Sequence, residues 1–186
     1  MGASFDAPWM GGGLRLTRAV VRALEEDARA RYTKDEEACG YLVGPADDAL
    51  LCDEIAPLPN LAARLHQIDP ETFFRSARTF FAFEEKKLDQ AVRSGRAAGR
   101  PVKVIYHSHL DAGAYFSATD AAVMSGGDPP AREGQPGRLG PGPQWPVAFL
   151  VTSVRAGANG PVVDEHKLFV WMDKRFVEAP FVIVEG

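Results

Sequence analysis

The stretch His107-Ser108-His109-Leu110-Asp111-Ala112-Gly113-Ala114-Tyr115-Phe116-Ser117-Ala118-Thr119-Asp120 decides how this chain is read. Two imidazoles stand one residue apart at the end of the apolar run Val102–Tyr106, which reads as a buried strand. A hydroxyl and a carboxylate follow, three residues apart, in the spacing where Ser117 caps a helix and Asp120 sits at its third position. Two neutral imidazoles and one carboxylate form a common ligand set for a catalytic zinc, which keeps its fourth position open for water. His107, His109 and Asp120 are therefore the candidate metal ligands.

Working outward, Glu84–Ala98 has the pattern of a helix and closes at Gly99 before Pro101. Thr72–Phe83 carries five phenylalanines, and its alternation suits a strand, with a helical turn around Phe73 as the other option. Phe73, Phe74, Phe80, Phe81 and Phe83 are expected in the core rather than on a binding surface. Pro57–Arg75 reads as a polar connection with a turn or short helix start at Asp69-Pro70-Glu71. Ala38–Val43 and Ala49–Ile55 read as a strand pair around Pro45–Asp48. Val20–Tyr32 is a helix capped by Thr17, and residues 1–12 are Gly-rich and expected to fray. On the other side of the motif, Gly126–Pro146 concentrates Gly and Pro and reads as a long loop. Val147–Val154, Lys167–Met172 and Phe181–Val184 read as strands. Helices interleaved with strands give an α/β class with a mixed sheet, one domain over 13–186 with loop insertions near 57–75 and 126–146.

Composition narrows the function classes. A chain of 186 residues, 46% hydrophobic and 25% charged, matches an ordinary globular domain. A net charge of −4 argues against a nucleic-acid partner. No apolar stretch approaches the roughly 18–20 residues that cross a bilayer, and Met1–Asp6 shows no secretory pattern. Two cysteines, Cys39 and Cys52, make no disulfide framework, so a reducing cytoplasm is expected. Cys39 is read as a buried core residue, and His66 and His166, without partners at ligand spacing, as structural or exposed.

The motif His107-x-His109-x7-Ser117-x2-Asp120 resembles that of the JAMM, or MPN-plus, zinc metalloproteases, which include deubiquitinating enzymes and bacterial and archaeal relatives. Glu37-Ala38-Cys39-Gly40 matches the family's upstream Glu-x-Cys/Met-Gly strand. Read alone, Asp35-Glu36-Glu37 is an acidic turn, and Glu36 substitutes for Glu37 if the register slips by one. The resemblance covers about residues 14–175. It implies a cytidine-deaminase-like, curved mixed sheet flanked by helices, and Zn2+ held by His107, His109 and Asp120. It implies Glu37 as general base and Ser117 as hydrogen-bond donor to the oxyanion. It also implies a substrate: the peptide or isopeptide bond after the carboxyl-terminal Gly-Gly of a ubiquitin-like or sulfur-carrier protein. The compact chain is expected to be prokaryotic.

Four rivals stand beside this reading. A metallo-β-lactamase-type site also uses His-x-His-x-Asp, but Ala112 occupies its next His position. An amidohydrolase barrel needs more chain than 186 residues supply. A non-catalytic MPN scaffold, or a zinc hydrolase of small peptides or amides, shares the fold and is separated only by assay. Tyr115 and Phe116 fall between the ligands, placed either to pack the site or to meet a substrate backbone.

Overall fold

The computed structural model describes residues 7–132 and 135–186. The frayed start expected over 1–12 falls partly on residues 1–6, outside the described residues. From Pro8 to Gly11 the chain makes a 3-10 turn that buries Trp9, whose indole N–H donates to the Pro146 carbonyl at 2.7 Å.

Strand β1 (Leu14–Thr17) runs into helix α1 (Arg18–Tyr32), where the Thr17 hydroxyl accepts from the Val20 N–H at 3.3 Å, as the sequence pattern expects. Val20, Val21, Leu24 and Ala28 form its buried stripe. Next come β2 (Cys39–Val43), β3 (Leu51–Cys52) and β4 (Glu54–Leu58). The run read as one strand over Ala49–Ile55 divides: β3 pairs with β1, β4 pairs with β2, and Asp53 lies at the switch with its N–H on Val43 O.

The polar connection after Pro57 contains helix α2 (Ala62–Ile68), in which only Ala62 is buried, although Leu58, Leu61, Leu65 and Ile68 stand at helical spacing. Thr72–Phe83 is not a strand. Its backbone finds no neighbouring ladder and bonds instead to the side chain of Asn60 and the backbones of Glu37 and Leu61. Helix α3 (Glu85–Ala97) buries Leu88 and stops before Gly99, whose φ of 72° lies in the left-handed region that favours glycine.

Strand β5 (Val102–Leu110) continues through both histidines rather than ending before them. Helix α4 (Ala118–Met124), β6 (Ala148–Arg155), β7 (Val162–Met172), β8 (Arg175–Ala179) and β9 (Phe181–Val184) complete the chain. The sequence reading misses β8 because the β7–β8 hairpin turns on Asp173 and Lys174, both at positive φ, without the Gly that usually marks such a turn.

The expected mixed sheet is present as six strands in the order β4-β2-β5-β6-β7-β8, with only β5 and β6 parallel. A second, parallel sheet in the order β3-β1-β9 accompanies it. The architecture is α/β. Helix α1 and the small sheet cover one face through Leu24, Val104, Tyr106 and Leu150. Helices α3 and α4 contribute Leu88 and Met124 to the other face, against Ile105, Phe149 and Val151. Among the described residues, no helix is long and apolar enough to cross a membrane.

A bulge in β5 explains a charge in the interior. Leu42 pairs with Val104 and Val43 with Val102, leaving Lys103 as the extra residue. Its side chain is fully buried, and the ammonium donates to the carbonyls of Pro45, Asp48 and Leu51 at 2.8–2.9 Å. The lysine closes the β2–β3 turn from inside.

Candidate metal centre

Side chains two apart on a strand share a face, so His107 and His109 project together from β5 toward α4. Ser108 points the other way: its hydroxyl accepts from the Ala38 N–H at 2.8 Å, and its own N–H donates to Ala38 O at 2.9 Å. That pair extends the β2–β5 register, in which Cys39 faces His107, and brings Glu37 opposite His109. Gly40 is required here. A Cβ at this position would lie 2.4 Å from Ala56 O and 2.7 Å from the Tyr106 ring.

The capping box turns Asp120 inward. Ser117 Oγ accepts from the Asp120 N–H at 3.0 Å, while Asp120 Oδ2 accepts from the Ser117 N–H at 2.9 Å. The same Oδ2 stands 3.3 Å from His107 Nε2 and 3.4 Å from His109 Nε2, and the two Nε2 atoms are 3.2 Å apart. His109 Nδ1 is 2.9 Å from Gly113 O, a contact that places its proton on Nδ1 and leaves Nε2 as a bare lone pair. That lone pair and the Asp120 carboxylate oxygen repel unless a proton or a metal cation lies between them. Ligands about 2.0–2.1 Å from a tetrahedral zinc sit about 3.3–3.4 Å from one another, which is the edge length of this triangle. The three residues fit a divalent metal.

Charge states agree with that donor set. Burial pushes His107 toward its neutral, ligating form, against the pull of Asp120. Burial opposes ionisation of Asp120, yet His107 and His109 hold its carboxyl far below the usual range. Glu37 is buried too. Loss of water, then the charge of Asp120, push its pKa well above the usual carboxylate value. Glu37, Ser117, His109 and Asp120 line one cavity of about 100 Å³, with Arg78, Thr79 and Tyr115. All five residues singled out in the sequence therefore meet in one place.

The sequence pattern of the prokaryotic homologs of the JAB domain matches residues 17–161, most of the chain and all of this site. The chain belongs to that family. The solution structure of a protein from Desulfitobacterium hafniense shares the fold of this JAB domain, with a TM-score of 0.55 at 21% identity over 93% of this chain and 94% of that one. A JAB1/MPN domain protein from Archaeoglobus fulgidus aligns with a TM-score of 0.48 at 14% identity, over 94% and 100% of the two chains. A protein from Salinibacter ruber aligns at 0.49 and 17%, over 93% of each. Among curated proteins, none matches.

Other residues of the JAB domain take definite places. Glu36 turns away to pair with Arg31 at 2.6 Å. Cys39 lies beneath the site, and burial pushes its thiol up to about 12, so it is no nucleophile at neutral pH. His66 Nδ1 meets Phe73 O at 2.6 Å, and His166 Nδ1 meets the Thr152 hydroxyl at 2.9 Å. Tyr115 is exposed and sets its ring edge-on to His109, whereas Phe116 packs among Phe149, Phe169 and Phe176. Of the five phenylalanines expected in the core, only Phe81 is fully buried; it stacks on His107 with ring centroids 4.4 Å apart.

Two residues that motif reading passes over shape the site. Asn60 donates through Nδ2 to Glu37 O and Phe80 O, both at 3.1 Å, and accepts at Oδ1 from the N–H groups of Ala62 and Ala82. Arg78 reaches from the cavity wall to Asp111 at 2.6 Å and to Asp35, tying the wall to the ends of β5 and α1. A lone Asn before a polar helix and an Arg in an aromatic run carry no spacing signal.

Proposed function

We propose that this chain is a zinc-dependent metallo-isopeptidase or peptidase of the cytoplasm that hydrolyses the bond after the carboxyl-terminal Gly-Gly of a ubiquitin-like or sulfur-carrier protein. The observation that carries the reading is the buried triangle of His107, His109 and Asp120 donor atoms, with Glu37 and Ser117 on the same cavity. Zinc held by these three residues supplies Lewis acidity, lowering the pKa of water from 15.7 to about 7. Glu37, on the wall of the same cavity, takes a proton from the attacking water and delivers it to the leaving amine. The Ser117 oxygen accepts from the Asp120 N–H, so its own proton is free to donate to the charge developing on the carbonyl oxygen. A cavity of about 100 Å³ suits a backbone flanked by glycines better than one carrying large side chains. Two free, buried thiols suit a reducing compartment.

The deciding experiment compares wild-type protein with Glu37→Gln on ubiquitin-like proteins extended or conjugated at Gly-Gly, alongside short peptides. The expected result is stoichiometric zinc in both proteins and a loss of at least about 100-fold in turnover for the variant. Turnover of short peptides alone removes the protein-modifier substrate. Zinc without any turnover leaves a scaffold.

A further inference from the structure

Beside the metal cavity lies a second one of about 340 Å³, where Phe80, Phe81 and Phe83 face Val123 and Met124 of α4, with Leu65, Phe73 and Trp145 completing the lining. Both cavities are built on the same two walls. Along one wall Arg78 and Thr79 border the metal cavity and residues 80–83 the apolar one; along the other, Ser117 and Asp120 precede Val123 and Met124. Phe81 is the boundary, since it stacks on His107 and also lines the apolar cavity. Phe73, Phe80 and Phe83 stay half-buried around this space, and the rim residues Glu85, Pro129 and Gln144 are exposed, so the cavity is reachable from solvent.

We propose that this apolar cavity receives a bulky hydrophobic side chain of the polypeptide being cleaved, carried about two residues from the scissile bond. The proposal rests on the hydrolase reading above. An apolar cavity of about 150 Å³ holds a benzene ring, so a space of about 340 Å³ admits a phenylalanine or leucine side chain with room to spare. The position follows from the walls. From Asp120 to Val123 and Met124 the helix advances about 4.5–6 Å, and an extended chain covers that distance in about two residues. A polypeptide with its carbonyl at the metal end therefore brings its next-but-one residue to the apolar end.

The test titrates the full chain, zinc-free and zinc-loaded, with acetyl-Phe-Gly-Gly-amide, acetyl-Gly-Gly-Gly-Phe-amide and the serine counterpart of each. The indole N–H of Trp145 reports the cavity, and that of Trp9, buried under the opposite face, is the control. One phenylalanine peptide should bind at least about tenfold tighter than its serine counterpart and shift Trp145 but not Trp9. Ala82→Leu, which grows into the cavity, should erase the preference while zinc content holds. Equal affinity for the phenylalanine and serine peptides, or binding that leaves Trp145 unmoved, overturns the proposal even if the enzyme hydrolyses peptides. If the zinc-loaded protein cleaves nothing but the preference at Trp145 persists, the hydrolase reading fails and the pocket stands.

Discussion

Replacing Asn60 by alanine removes the side chain that stitches Glu37 to the opposite wall of the metal cavity. Its NH2 has two protons, used on Glu37 O and Phe80 O at 3.1 Å, with Ala77 O a distant third acceptor at 3.5 Å. Its oxygen takes the N–H groups of Ala62 at 2.9 Å and Ala82 at 3.2 Å. Four sound hydrogen bonds at about 0.5–1 kcal/mol each set the loss near 3 kcal/mol. For a chain of this length that lowers Tm by about 6–12 °C. Calorimetry and amide hydrogen exchange are the assays, with zinc content as control, because the ligands come from β5 and α4 and should not lose metal. The wall and Glu37 loosen together, so turnover should drop in Asn60→Ala beyond what the unfolded fraction explains. A Tm shift under about 2 °C, with exchange at Ala62 and Ala82 unchanged, refutes the stitching role.

Lys103→Met strips the carbonyls of Pro45, Asp48 and Leu51 of their donor and should lower stability by about 3 kcal/mol in denaturant unfolding; a loss under about 1 kcal/mol means those carbonyls find other partners. Gly40→Ala drives a Cβ into Ala56 O and the Tyr106 ring, and should destabilise by about 1–3 kcal/mol, checked by thermal melting. His166 is held below its ordinary pKa by burial, against Glu25, so the unfolded chain takes up its proton first as pH falls. Stability should therefore decline below about pH 6.5, and His166→Asn should flatten part of that decline in melts from pH 7.5 to 5. Zinc at about 100 times its Kd should stabilise the fold by about 2.7 kcal/mol, and His107→Ala or Asp120→Ala should abolish that shift in Tm.

How much of the site is legible in the sequence depends on the range of the interaction that builds it. His107 and His109 are neighbours through strand geometry, and Ser117 and Asp120 through a helix cap, so local spacing reveals them. Glu37 lies seventy residues upstream of its partners, and only Gly40 beside it hints at the tight crossing of β2 with Tyr106 and β4. Helix α2 and the irregular 72–83 wall are misread because their apolar spacing does not match what they pack against: Leu61, Leu65 and Ile68 have helical spacing, but Ile68 stays exposed. One side chain, Asn60, organises both, and alternating phenylalanines imitate a strand that has nowhere to pair.

By itself the sequence determined the α/β class, helices α1 and α3, and His107, His109, Ser117 and Asp120 of the candidate centre, because each rests on contacts within a few positions, while Glu37 was marked only by the resemblance of its Glu-x-Cys-Gly strand. Tertiary structure alone decided that the His and Asp donors converge at 3.2–3.4 Å. It also decided that a lysine can sit in the interior, and that of the five phenylalanines Phe81 enters the core while Phe73, Phe80 and Phe83 stay half-buried around a cavity. Those outcomes depend on which strands pair and where a bulge falls, and such long-range choices leave no periodic trace along the chain.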